Sequence, residues 1–127
     1  MKHFSQSIPV KDDHQDIASL LRSVADTVDE HKITGIVDIC FHKGTAGDGT
    51  PTLSVYFDGS SIDNFGFDIE SDLLSLPEGA DRADIPTLLE RASGKMRALK
   101  EDDDLTDVVV KIDGETRGKT PVVRYYY

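Results

Sequence analysis

The hydrophobic period of this chain changes from about 3.6 to 2 within its first 40 residues, and that change restricts the fold more than any motif does. Ile17, Leu20, Leu21, Val24 and Val28 recur at steps of three and four, which puts them on one stripe of an amphipathic helix. Asp12 or Asp13 can cap it and Gly35 follows its end, so the spacing predicts a helix over residues 13–31. Immediately afterwards Val37, Ile39 and Phe41 alternate with Asp38, Cys40 and His42, the pattern of a strand with one face in a core. A helix feeding directly into strands excludes an all-α or all-β domain.

The rest of the chain repeats this alternation. Gly44 to Pro51 holds three glycines and reads as a connection, after which Leu53, Val55 and Phe57 mark a second strand. Asp58-Gly59-Ser60-Ser61 is a turn, and Phe65, Phe67 and Ile69 predict a third strand, weakened by Gly66. Asp84 with Pro86 marks a helix start, and Ile85, Leu88, Leu89, Ala92, Met96 and Leu99 form the second apolar stripe. A fourth strand carries Val108, Val110 and Ile112. A fifth alternates Val122, Arg124 and Tyr126 with Val123, Tyr125 and Tyr127.

The expected order is therefore α-β-β-β-α-β-β, an α+β fold with two helices packed on one face of a mostly antiparallel sheet. The other sheet face should then carry Asp38, His42, Ser54, Tyr56, Asp68 and Asp107, open to water or to a partner. At 127 residues the chain has the size of a single domain spanning 1–127.

Cys40 is the sole cysteine, so no intramolecular disulfide is possible. The start, Met1-Lys2-His3-Phe4, lacks the apolar run of a signal peptide, and no segment has the length of a membrane span. A cytoplasmic location is the expectation.

Charge bears on partners. The chain has 24 Asp plus Glu against 14 Lys plus Arg, a net charge of -10. Such a field repels nucleic acid and anionic membranes and attracts basic proteins.

Catalytic and metal motifs fail on inspection. Gly114 to Thr120 resembles a phosphate loop but has one residue too few between its glycines, and a strand pattern follows where a helix is required. Asp102, Asp103, Asp104 and Asp107 lack the glycine and closing Glu of a calcium loop. The four histidines show no metal-ligand spacing. Cys40 and His42, two apart on a strand, stand about 7 Å apart, too far for one to activate the other. No catalytic residue, cofactor or metal is expected, and the chain is not read as an enzyme.

The early amphipathic helix, the hairpin carrying Tyr56-Phe57, the second helix, and the Asp113-Gly114 turn before Val122-Val123-Arg124-Tyr125-Tyr126-Tyr127 together resemble small bacterial immunity proteins of the YezG-like kind. The resemblance implies a cytoplasmic antidote that binds a basic toxin domain, often a nuclease, and occludes it without catalysis. The contacts expected on that reading are exposed acids and tyrosines: Tyr56, Asp58, Asp102, Asp103, Asp104, Asp107 and Tyr125. Two alternatives stand beside it. Secretion chaperones for effector proteins are also small, acidic and similar in element order, and a small ligand-binding domain or hydrolase could use the loop at 42–51.

Overall fold

The computed structural model describes residues 1–7, 14–43, 51–75, 85–98, 105–111 and 121–127. The elements, in chain order, are β1 (Lys2–Ser7), α1 (His14–Glu30), β2 (Ile36–Lys43), β3 (Pro51–Phe57), β4 (Phe67–Asp68), β5 (Ser71–Ser75), α2 (Ile85–Ala98), β6 (Asp107–Lys111) and β7 (Val122–Tyr126), with a 3-10 turn at Ile62–Asn64. All strand pairs among them are antiparallel. Two helices with antiparallel sheets make the α+β class that the periodicities require.

The finer order differs from the expected one. A strand, β1, precedes α1, and another, β5, lies between the expected third strand and the second helix, where no element was expected; the third expected strand shrinks to the two residues of β4. β1 escapes a hydrophobicity reading because Phe4 is its one large apolar residue, yet Phe4 is 4% exposed and β1 lies between β3 and β4. Pairing on both sides, not composition, makes this segment a strand. The strands also divide into two sheets, β2-β3-β1-β4 and β5-β7-β6, in place of one.

The chain forms two compact units, Met1–Ile69 and Glu70–Tyr127. In the first, α1 contacts β1 and β3. Leu20 and Val24 from the helix bury against Phe4, Leu53, Val55 and Phe57, with Ile33 closing one end. Each of these side chains contributes about 1.5–3 kcal/mol relative to exposure.

The turn after α1 is set by two glycines. Gly35 has φ +65°, the left-handed region, and at Gly59 a Cβ would lie 2.2 Å from the Thr34 carbonyl oxygen. That approach lets Thr34 N–H donate to Ser60 O at 2.9 Å and Asp58 N–H donate to Gly35 O at 3.0 Å.

In the second unit α2 contacts β5 and β7. Leu88 and Ala92 bury against Val123 and Tyr125, with Leu74, Leu105 and Tyr127 packed around them.

The two units share one plan. Each contains a run of strand, helix, strand, strand whose last strand, β3 or β7, lies between the other two, and the first unit adds the short β4 beside β1. The helices correspond in spacing, Ile17, Leu20, Leu21, Val24 and Val28 of α1 with Ile85, Leu88, Leu89, Ala92 and Met96 of α2, and all but the last pair match in depth of burial: Val28 is half-buried and Met96 exposed.

The shared plan explains why the helical stripes are narrower than their sequence patterns. Leu20, Val24, Leu88 and Ala92 are buried, whereas Leu21 and Leu89, at equivalent positions, are 51% and 47% exposed. Each helix lies nearest two strands, β1 and β3 or β5 and β7, with no Cα of it within 8 Å of one in β2 or β6.

Candidate interaction surfaces

The residues expected to meet a partner divide sharply by burial. Tyr56 and Tyr125 have 0% of their surface exposed and Asp107 8%, so the expectation that these three are exposed contacts is corrected. Asp38, Ser54 and Tyr56, expected on an open face, are likewise buried, at 7%, 5% and 0%, whereas His42 is half-buried and Asp68 exposed. Alternation tells which side chains share a face, but not whether that face is covered. Asp58 is exposed, as expected. Asp102, Asp103 and Asp104 lie outside the described residues.

Tyr125 serves the second core. Its hydroxyl donates to the Ala92 carbonyl oxygen at 3.1 Å, tying β7 to α2. Lys95 Nζ lies 5.1 Å from the centre of the Tyr125 ring and also pairs with the Asp72 carboxylate. Burial raises the Tyr125 pKa above its ordinary value, while the hydrogen bond from Lys95 holds the Asp72 carboxyl below the usual aspartate value. Asp72 also accepts the Leu73 N–H at 2.9 Å. Lysine, tyrosine and carboxylate together hint at proton chemistry, but the ring is fully buried and each polar group fastens one element to another. The arrangement is structural.

Aromatic stacks close the first unit in the same way. His31 stacks on Phe65 at 3.8 Å, Phe65 tilts against Phe4 at 5.3 Å, and His3 stacks on Tyr56 at 6.0 Å. Among the described residues no group of three or more His, Cys, Asp or Glu is placed to hold a metal ion. No helix there is long and apolar enough to cross a membrane.

A distinct feature lies at the C-terminal end of α1. Asp26, Asp29 and Glu30 are exposed, and no basic residue stands in the last turn. A helix C-terminus already carries about half a negative charge, so acids there raise the local energy. Two further exposed acids gather at the same end. Asp58 adjoins Gly35 through its backbone bond, and Asp63 belongs to the 3-10 turn whose Ile62 N–H donates to His31 O at 2.8 Å. Lys32 and Lys2 are nearby, the latter donating to Asn64 O at 3.3 Å, and acids outnumber them.

The second unit reverses this arrangement. Lys95 and Arg97 occupy the last turn of α2, with Arg97 standing where α1 has Asp29. The sequence pattern did not single out this end, because acids on a helix's polar face look ordinary until the partner repeat provides the contrast. No protein-family model matches the chain, and neither a curated protein nor a solved structure matches it.

Proposed function

We propose that this protein is a stoichiometric inhibitor of a basic protein domain, an immunity protein that covers the cationic working face of a toxin such as a nuclease. The acidic end of the first unit carries the reading. Asp26, Asp29, Glu30, Asp58 and Asp63 crowd a helix terminus that alone would favour cations, a local cost that binding a basic surface repays. The sequence adds Asp102, Asp103 and Asp104 to the acids offered to such a partner. With no catalytic constellation in the reading, occupancy is the mechanism: the inhibitor's carboxylates take the places that substrate phosphates would occupy.

Co-expression tests it. The partner to use is the product of a neighbouring gene, if it encodes a toxin with a basic C-terminal domain. The expected results are a one-to-one complex that weakens as salt rises and rescue of growth from the toxin. If the basic domain neither binds nor is neutralised, the proposal fails.

A further inference from the structure

β6 is the edge strand that the second sheet leaves unguarded. It pairs with β7 along one side, and among the described residues no strand lies along the other. Sheet edges present N–H and C=O groups that template further pairing, and proteins blunt them with bulges, charges or short length. The other edges are blunted in this way: β2 has a register shift between Ile36 and Asp38, β4 is two residues long, and β5 carries Asp72 and two serines.

β6 keeps its charges to its two ends. Its register against β7 runs unbroken from Asp107 opposite Tyr126 to Lys111 opposite Val122, and its centre is three valines, among the side chains most favoured in strands. Val108 and Val110 are 39% and 41% exposed and lie opposite Tyr125 and Val123, on the helix side of the sheet. Val109 is half-buried and shares the other face with Asp107 and Lys111.

The order of residues along the strand names its occupant. Asp107-Val108-Val109-Val110-Lys111 is its own complement when a second copy is laid antiparallel about Val109. Asp107 then stands opposite Lys111 of the second copy, Val108 opposite Val110, and Val109 opposite itself, with about 4.5–5.5 Å between facing Cα atoms. A two-fold axis repeats each contact, so both ends pair an acid with a base. Other alignments lose this match. A parallel one in register sets Asp against Asp and Lys against Lys, and an antiparallel slip of one residue sets Lys111 against a valine.

We infer that β6 is a self-pairing edge, through which two copies of this chain join antiparallel along Asp107–Lys111 and extend the second sheet of each into that of the other. The valines supply the strand template, and the end charges set direction and register. A five-residue strand spans about 17 Å, so the contact lies at the small end of specific interfaces and the dimer is reversible. The inference goes beyond the inhibitory reading and does not depend on it.

The test uses the full chain at about 0.5 M salt, which screens the repulsion between copies of net charge -10. Sedimentation from about 10 µM to about 1 mM should show monomer passing to dimer. Val110→Lys should weaken the dimer by about tenfold or more, and Lys111→Glu should do the same. Mixing Lys111→Glu chains with Asp107→Lys chains should restore it, because in the mixed pair every acid again faces a base. Register is read by cysteine. In a Cys40→Ser background, diamide should oxidise Val109→Cys to a disulfide-linked dimer but not Val108→Cys, whose two copies stand two residues apart along the strands, beyond the roughly 7 Å that a disulfide spans.

A chain that stays monomeric at the highest concentration overturns the inference. So does a dimer left intact by Val110→Lys while the amide spectrum stays dispersed, or a disulfide formed as readily at residue 108 as at 109. Asp107 is 8% exposed, so if Asp107→Lys unfolds the chain the cysteine pair decides the register. A monomeric chain that still neutralises its toxin removes the dimer and leaves the inhibition.

Discussion

At Tyr125 a hydroxyl at the end of a fully buried ring donates to a helix carbonyl. Tyr125→Phe should lower stability by about 1 kcal/mol, measured by urea unfolding, because the ring still packs and one neutral hydrogen bond is lost. Its raised pKa has a sign to check. The folded state favours the protonated ring, so this contribution is intact below the ordinary tyrosine value of 10.0 and is lost as the pH rises through the higher folded value. Tyr125→Phe should therefore flatten the alkaline limb of the stability profile. Asp72 behaves oppositely. Its lowered pKa gives stability above the ordinary value of 3.8 that disappears as the pH falls through the folded value. The side chain is 44% exposed, so Asp72→Asn should cost only about 0.2–1 kcal/mol at neutral pH, with the gap from the parent protein closing in acid. Guanidine unfolding at several pH values reads both effects.

The helices and strands show how far periodicity reaches. α1, α2, β2, β3, β6 and β7 were legible because each has apolar residues at a recognisable period: Leu20 with Val24, Leu88 with Ala92, Leu53 with Val55 and Phe57. β1 and β5 were not, since Lys-His-Phe-Ser-Gln-Ser carries a single core residue and Ser-Asp-Leu-Leu-Ser puts its leucines on opposite faces. Burial was legible only in part. Leu21, Ile39 and Phe41 share the stripes of truly buried residues, and their exposure follows from which strands the helix covers, a tertiary fact. Asp58 was the one predicted contact found exposed at the acidic end; Tyr56, Tyr125 and Asp107 failed because aromatic and acidic residues on strands were assumed to face outward. The helix ends yield their own prediction. Asp29→Arg should stabilise the protein by about 0.3–1 kcal/mol at low salt by complementing the α1 terminus, an increase seen in thermal unfolding and reduced by added salt. On the proposed function the same change should weaken partner binding, so stability and affinity should move in opposite directions.

Across the whole molecule the acidity is shared between the repeats. Residues 1–69 hold 11 acids against five bases and residues 70–127 hold 13 against nine, so both units are acidic while, among the described residues, the last helical turn carries acids in the first and bases in the second. Steering of a basic partner should therefore draw on the entire chain, and association rates should fall steeply with ionic strength, as stopped-flow mixing would report. The shared plan of the units also sets a schedule for making them. In each, the strand that joins the first two is synthesised after both, so β1 waits for β3 and β5 waits for β7. A nascent chain that has emerged only as far as Lys111 holds both flanks of the second sheet and nothing to bridge them. Deleting Val122–Tyr126 removes the sheet's keystone and not a fraying edge, and should leave β5, α2 and β6 without protected amides in hydrogen exchange. A chain cut off anywhere before Val122 thus has a second half that cannot close, which gives quality control a ready mark for incomplete copies.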